Sequence, residues 1–102
     1  MNNEILIWSE ENWPNRTPQN VEDKLYEEVN ELKQALENET RCSDMVNIAE
    51  ELFDVYAMIV DYAHIRGINL KKMFEVKKII VELRKTKGKD KEIERELIKA
   101  FL

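Results

Sequence analysis

The sequence predicts an all-α protein, folded as an antiparallel helical bundle. The 102 residues include only two glycines and two prolines, so turns are few and the elements between them are long. Apolar residues recur every three or four positions, as they do on one face of a helix, and no stretch alternates as a strand would. With 43% hydrophobic residues, the chain is expected to form a single domain over residues 1–102 whose small core is completed by oligomerisation.

The first expected element is a short helix over residues 3–12, with three apolar residues facing the core: Ile5, Leu6 and Trp8. A turn over residues 13–16 follows. Thr17 and Pro18 are typical of a helix start, an N-cap hydroxyl followed by proline at the first helical position. The first long helix is therefore predicted over about residues 18–38, with an apolar stripe made of Val21, Leu25, Val29, Leu32 and Leu36.

The second long helix is predicted over about residues 44–66, with Ser43 as its N-cap and Gly67 as the residue that ends it. Its sequence from Leu52 to Ile65 is apolar almost all round. A helix of that kind is usually buried on every side. Because a chain this short has too few other helices to cover it, we expect a second chain to complete its burial.

Two further helices are expected after Gly67. Asn69 can cap the third long helix, which Gly88 ends. Its inward-facing residues are predicted to be Leu70, Met73, Phe74, Ile80 and Leu83. Asp90 can cap the last helix, whose apolar residues are Ile93, Leu97, Ile98 and Phe101.

Four carboxylates are spaced so that they meet between the two central helices. Glu28 and Glu31 are three residues apart in one helix, and Glu51 and Asp54 are three apart in the other. Residues at that spacing share a helix face. The connection over about residues 38–43 can reverse the chain, so both pairs converge. Because like charges at close range repel, the cluster needs a cation, and oxygen ligands favour Mg²⁺ first and Mn²⁺ second.

Asp54 is the strongest single candidate among these carboxylates. It lies in the middle of the apolar helix, where a charged side chain needs a partner, a shifted pKa or a metal. The carboxylates of the first helix carry less weight alone, because glutamate-rich helix surfaces are common and Glu27 points further toward solvent than Glu28.

The combined pattern resembles the MazG-like, all-α nucleoside triphosphate pyrophosphohydrolases. It reads EExxE over residues 27–31 and ExxD over residues 51–54, within the flanks KLYEEVNELKQAL and AEELFDVYAMI. The approach WPNRTPQNVEDKL is also similar, so the resemblance covers about residues 13–87. It implies Mg²⁺-dependent hydrolysis of a nucleoside or deoxynucleoside triphosphate to the monophosphate and pyrophosphate, for house-cleaning or control of the nucleotide pool. The expected assembly, a homodimer or homotetramer, follows from the short chain and its all-round apolar helix.

The resemblance also implies roles for individual residues. The metal ligands would be Glu28, Glu31, Glu51 and Asp54. Glu27 would orient or deprotonate the attacking water, or bind a further metal indirectly. Further contacts are suggested by residue chemistry and position, apart from the resemblance. Trp13, just before the first metal-binding helix, is expected either to stack on the base or to anchor the core. Basic residues that either meet the triphosphate or belong to a solvated face are Arg16, Lys24, Lys77 and Arg84.

Other kinds of site and partner fit the sequence less well. A di-iron centre needs two Glu-x-x-His units, whereas the chain has one histidine, in Asp61-x-x-His64. Asp61 is expected to pair across an interface or to support the metal ligands. A net charge of −5 without a basic block argues against nucleic-acid binding. No run of about 18 apolar residues suggests a membrane span.

The single cysteine, Cys42, forms no internal disulfide, so a reducing cytoplasm is the expected location. One alternative function of a different class stays open. The chain could be a non-catalytic helical interaction or regulatory module with a vestigial acidic cluster. A melting temperature that does not respond to Mg²⁺ would favour that alternative.

Overall fold

The computed structural model describes residues 2–38 and 42–102, without the side chains of residues 42–44. The described residues form five α-helices and no strand, so the all-α prediction is confirmed. The helices are α1 (Asn2–Asn12), α2 (Pro18–Glu37), α3 (Cys42–Ile65), α4 (Leu70–Lys87) and α5 (Lys91–Phe101). None of these described helices combines the length and the apolar character needed to cross a bilayer.

The chain divides into two compact units, Met1–Arg66 and Gly67–Leu102. In the first unit, α2 packs along α3 and α1 packs against α3. Only four residues separate the last residue of α2 from the first of α3, so the two helices run in opposite directions. That residues 1–102 form a single domain stays a prediction.

The start of α2 is fixed by a capping box. The Thr17 hydroxyl accepts a hydrogen bond from the Asn20 backbone N–H at 3.1 Å, and Asn20 Oδ1 accepts one from the Thr17 N–H at 3.3 Å. These bonds satisfy two backbone donors that a helix start leaves open. The predicted start at Thr17 and Pro18 is confirmed, and α2 ends as expected, with Asn38 as its C-cap.

The core of the first unit lies between α1 and α3. Ile5 packs with Ala57 and Val60, and Leu6 contacts this cluster from its edge. The prediction that Trp8 is buried is wrong, because Trp8 is 41% exposed. The face of α1 that is buried carries Ile5 and Ser9, four residues apart, and Trp8 lies beside that face rather than on it.

The buried line of α2 also differs from the predicted stripe. Val21, Glu28 and Ala35, each seven residues from the next, are the buried residues of this helix. Val29 and Leu36, which were expected to face inward, are exposed. The buried face is therefore centred on a line that contains a glutamate. A prediction from hydrophobic periodicity counts only apolar residues, so it could not identify this line.

The helix α3 is buried on one side only. Its buried apolar residues are Ile48, Ala57, Val60 and Ala63, whereas Leu52, Phe53, Tyr56 and Ile59 are exposed. The exposed side agrees with the expectation that one short chain cannot cover this helix alone, and its burial by a second chain stays a prediction. The helix begins at Cys42, one residue before the predicted cap Ser43, and the side chains of both residues lie outside the described part.

The second unit consists of α4 and α5 with the caps that the sequence predicts. Asn69 Oδ1 accepts from the Lys72 N–H, and Asp90 Oδ1 accepts from the N–H groups of Glu92 and Ile93. Gly67 and Gly88, which follow α3 and α4, have φ values of +70° and +78°, in the region that glycine adopts most easily. These predicted helix ends are confirmed.

The predicted inward face of α4 is only partly correct. Ile80 is fully buried, and so is Val76, which was not among the residues predicted to face inward. Phe74 and Leu70 are exposed instead, and on α5 the same holds for Ile93 and Phe101. The buried line of α4 follows Val76 and Ile80, four residues apart, and Phe74 falls outside it.

Candidate metal centre

The antiparallel pair α2 and α3 brings three carboxylates together. Glu28 of α2 and Glu51 and Asp54 of α3 each offer one carboxylate oxygen, and these atoms lie within 4.8 Å of one another. Glu28 and Glu51 lie at similar distances along the chain from the connection between the helices, which is why a helical hairpin places them opposite each other. We call these three residues the acidic cluster.

The acidic cluster contains buried oxygens without a partner. The side chain of Glu28 is only 8% exposed. Among the described residues, neither its Oε2 nor the buried Oε2 of Glu51 has a hydrogen-bond donor. A buried carboxylate oxygen without a donor or cation is costly. Three convergent carboxylates with two unpartnered oxygens fit a hard divalent cation such as Mg²⁺ or Mn²⁺, which prefers oxygen ligands.

The electrostatics of the cluster point the same way. Burial raises the pKa of Glu51, and the charges of Glu28 and Asp54 raise it further. Burial is also the largest cause of the raised pKa of Asp54, followed by the charge of Glu28. Both carboxyl groups therefore hold their protons more tightly than a free side chain, and a bound cation would relieve the accumulated negative charge.

Glu31 lies at the edge of the acidic cluster. Its pKa is raised chiefly by a hydrogen bond to Glu28, and the charges of Glu28 and Glu51 add to this. Glu31 therefore lies beside Glu28, but it is not one of the three residues whose oxygens meet. Glu27 is on the exposed side of α2, where its Oε2 lies 3.6 Å from Lys24 Nζ.

Lys24 supplies positive charge at the cluster. Its Nζ lies 3.1 Å from Glu28 Oε1, one helical turn away on α2. The hydrogen bond to Glu28 raises the pKa of Lys24. Among the ion pairs of the described residues, this is the one that reaches a member of the acidic cluster, and it leaves Glu28 Oε2 unpartnered.

A cavity of about 560 Å³ lies beside this lysine. Its lining combines the turn before α2 with parts of α2 and α3: Trp13, Pro14, Asn15, Arg16, Asn20, Val21, Lys24, Met58 and Asp61. Lys24 therefore belongs both to the cavity wall and to the surroundings of the acidic cluster. Trp13 is half-exposed and meets Trp8 edge to face, with ring centroids 5.1 Å apart.

Arg16 is held in place by acidic side chains. Its Nε and one terminal nitrogen each donate to Asp61 at 2.7 Å, and the other terminal nitrogen donates to Glu10 at 2.6 Å. Asp61 is 1% exposed, so this forked pair is buried at its acidic end. Arg16 therefore lines the cavity with its positive charge already neutralised, which makes it a poor ligand for a phosphate.

The pairing of Asp61 was not foreseen from the sequence. Asp61 was expected to pair across an interface or to support the metal ligands, whereas it binds Arg16 of its own chain. The signal was present, because Asp61 is a charged residue in an apolar helix and so needs a partner for the same reason as Asp54.

The remaining basic candidates lie on α4, in the second unit. Arg84 donates to Glu94 of α5 at 2.9 and 2.6 Å, which raises the pKa of Arg84 and lowers that of Glu94. Arg84 thus joins α4 to α5. Lys77 is exposed on α4.

Comparison with known proteins identifies the family. The family model described as phosphoribosyl-ATP pyrophosphohydrolase matches residues 5–78, a range that contains both the EExxE and the ExxD segments. Neither the curated proteins nor the solved structures gave a match. The expected MazG-like resemblance is confirmed at the level of the wider group, to which this family is related. The chain belongs to the phosphoribosyl-ATP pyrophosphohydrolase family, whose members are hydrolases acting on phosphoanhydride bonds.

Proposed function

We propose that the protein hydrolyses the α–β phosphoanhydride bond of a nucleoside triphosphate group, with a divalent cation as cofactor. Water adds to the α-phosphorus and the α–β bond breaks, which gives a nucleoside monophosphate and pyrophosphate. The observation that carries the proposal is the acidic cluster, with its two buried, unpartnered oxygens on Glu28 and Glu51. Family membership supports the reaction type.

The cofactor is proposed to be Mg²⁺, with Mn²⁺ as a substitute. Glu28, Glu51 and Asp54 would hold it, and Glu31, beside Glu28, would assist. When bound, the cation supplies neutralisation of the phosphate oxygens and a lower pKa for water. Glu27 is not engaged by the cluster and faces solvent, so it is the proposed acceptor of the proton that the attacking water loses.

The nucleoside part is proposed to occupy the cavity beside the cluster. Trp13 offers an aromatic face, and the amides of Asn15 and Asn20 offer donors and acceptors for the edge of a base. The charge of Arg16 is already met by Asp61 and Glu10, so this cavity favours a neutral ring over a phosphate. The phosphates would then extend past Lys24 toward the acidic cluster.

Two substrate classes remain to be compared. The family name points to phosphoribosyl-ATP, and the MazG-like resemblance points to ordinary nucleoside or deoxynucleoside triphosphates. Both contain the same triphosphate group, so the acidic cluster serves either. A cytoplasmic location is part of the proposal, because the chain has one cysteine and forms no internal disulfide.

The first prediction tests the cation site and the substrate class together. The purified protein is incubated with phosphoribosyl-ATP and with each nucleoside and deoxynucleoside triphosphate, in Mg²⁺, Mn²⁺ or chelator, and pyrophosphate is measured. Asp54→Asn should lower the rate by more than the about 10–100-fold typical of residues that only orient a metal ligand. In the presence of chelator, Asp54→Asn should have a melting temperature no lower than that of the wild type, because the amide removes a charge that is crowded by its neighbours.

Asp23→Asn is the matched control, since Asp23 is an exposed carboxylate on α2 that contacts Gln19. It should keep wild-type activity. Unchanged turnover in Asp54→Asn would refute the cation site. A wild-type protein that releases no pyrophosphate from any triphosphate, and whose melting temperature ignores Mg²⁺, would instead favour the non-catalytic module.

The second prediction concerns Trp13. If it stacks on the base, Trp13→Ala should raise KM by roughly five-fold to a hundred-fold, since such stacking is worth 1–3 kcal/mol. Turnover at saturation should change less, because stacking holds substrate and transition state alike. Trp13→Phe, which keeps an aromatic face, should recover most of the loss. A large fall in melting temperature with an unchanged KM would show that Trp13 is a packing residue.

A further inference from the structure

Lys24 occupies the boundary between the cavity and the acidic cluster. Its side chain lines the cavity, and its ammonium lies 3.1 Å from Glu28 Oε1 and 3.6 Å from Glu27 Oε2. The side chain is 49% exposed, whereas that of Glu28 is 8% exposed. The mobile end of this pair is therefore the lysine, and the fixed end is the buried carboxylate.

A divalent cation at the cluster would compete with this ammonium. Both need the carboxylate of Glu28, and two positive charges bound to one carboxylate group repel each other over a distance of a few ångströms. The lysine can leave at little cost, because its long stem rotates freely and its head is strongly hydrated. Glu28 cannot move in the same way, because its side chain is buried within the α2–α3 contact.

The released ammonium has a second position within reach. Rotation about the stem takes the head away from Glu28 but keeps it at the edge of the cavity, where the proposed path of the phosphates passes from the cavity to the acidic cluster. Arg16, the other basic residue of that wall, is bound by Asp61 and Glu10 and offers little free charge to a phosphate. Within the described lining of the cavity, Lys24 is thus the basic residue that is available to pair with a triphosphate.

We propose that Lys24 is an exchangeable counter-cation. In the cation-free protein its ammonium neutralises Glu28, and when a divalent cation binds the same ammonium moves to a phosphate oxygen of the nucleotide. This inference rests on the proposed function. The exchange makes the two ligands cooperative, because the cation frees the lysine and the nucleotide gives it a new partner. By linkage, each ligand then improves the affinity of the other by the same factor.

The test compares three variants of the full chain. Lys24→Met keeps the length of the stem and removes the charge, and Lys24→Arg keeps the charge. Lys33→Met is the matched control, because Lys33 forms an exposed i,i+4 pair with Glu37 on the same helix. The Mn²⁺ affinity of the nucleotide-free protein is measured by calorimetry, and KM is measured with saturating Mg²⁺ for the triphosphate that the wild type hydrolyses fastest.

Lys24→Met should bind Mn²⁺ about two- to five-fold more tightly, the range expected when one half-exposed ion pair no longer competes. Its KM should rise roughly ten-fold or more, as for loss of a hydrogen bond to a charged group. Lys24→Arg should stay near the wild type in both measurements, and Lys33→Met should change neither. Tighter metal binding together with weaker nucleotide binding is an outcome that a merely structural role does not produce.

Two results would overturn this inference while leaving the proposed function intact. Either the Mn²⁺ affinity of Lys24→Met is equal to or weaker than that of the wild type, or its KM is unchanged, while the wild type still binds Mn²⁺ and releases pyrophosphate. If the wild type neither binds Mn²⁺ nor hydrolyses any triphosphate, the proposed function fails and the inference fails with it.

Discussion

Three carboxyl groups around the acidic cluster have unusual affinities for protons. The pKa values of Glu51 and Asp54 are raised, first by burial and then by neighbouring charges, and that of Glu31 is raised chiefly by its hydrogen bond to Glu28. A carboxyl group with a higher pKa in the folded state binds more protons there than in the unfolded state. Its contribution to stability therefore falls as pH rises from the ordinary value, 4.5 for glutamate and 3.8 for aspartate, through the raised value.

The third prediction uses this sign. In chelator, Glu51→Gln should gain melting temperature relative to the wild type as the pH rises from about 4 to 7, because the amide carries no charge to be buried or repelled. A comparison between variants is needed, since Glu94 contributes with the opposite sign. Its pKa is lowered by Arg84, so its contribution is present above pH 4.5 and is lost as the pH falls through the lowered value.

Glu37→Gln is the control for this experiment, because Glu37 is exposed near the end of α2. It should follow the wild-type melting curve at each pH. Adding Mg²⁺ should raise the melting temperature of the wild type more than that of Glu51→Gln, since the variant lacks one proposed ligand. A difference between Glu51→Gln and the wild type that stays constant from pH 4 to 7 would contradict the electrostatic account.

At the scale of elements, the Arg16–Asp61 pair joins the turn before α2 to α3. The two residues are 45 positions apart, and the side chains are 11% and 2% exposed. The pair therefore positions Trp13 and the rest of the cavity wall against α3. Because Asp61 has almost no contact with solvent, removal of one partner leaves the other poorly satisfied.

The fourth prediction follows from that geometry. Asp61→Asn should lower stability by roughly 3 kcal/mol, the lower end of the range for broken buried pairs, because Glu10 still accompanies Arg16. Arg16→Lys should also destabilise, since an ammonium cannot form the forked pair. Thermal and denaturant unfolding measure both effects, with Asp23→Asn as control. A change in stability below about 0.5 kcal/mol, the size typical of surface substitutions, would mean that the pair does not hold the turn.

The helix ends were predictable and the buried faces were not. A cap is decided by bonds within three residues, so Thr17, Asn69 and Asp90 could be read from the sequence alone. Burial depends on which side of a helix meets a neighbour. In α3 nearly every side is apolar, so periodicity could not select one, and in α2 the buried line runs through Glu28.

In the candidate site, too, the features set by spacing within one helix were predictable and those set by tertiary contacts were not. Spacing within each helix placed Glu28, Glu51 and Asp54 on the faces that meet, because positions three apart share a face on any helix. Spacing could not reveal the Arg16–Asp61 pair, which depends on how the turn folds back on α3. Lys24 was selected for its place near the start of α2, and its ion pair with Glu28 at the cluster was not predicted.

At the scale of the whole molecule, the open question is what covers the rest of α3. Leu52, Phe53, Tyr56 and Ile59 are exposed over two turns of this helix, although each would be stabilised by burial. Contiguous apolar surface of this kind marks an interface more often than a free surface. A second copy of the chain is the natural partner, since closed symmetric assembly lets one apolar face cover its equivalent.

The fifth prediction is that the protein is a homodimer or homotetramer in solution. Sedimentation or light scattering at micromolar concentration should give two or four times the 12.2 kDa of one chain. Ile59→Glu should shift the assembly toward the monomer, because a charge would have to be buried in the interface. Lys33→Glu, an exposed change on α2, should not. A wild-type mass of 12.2 kDa would leave the apolar face of α3 without its proposed partner and refute the assembly.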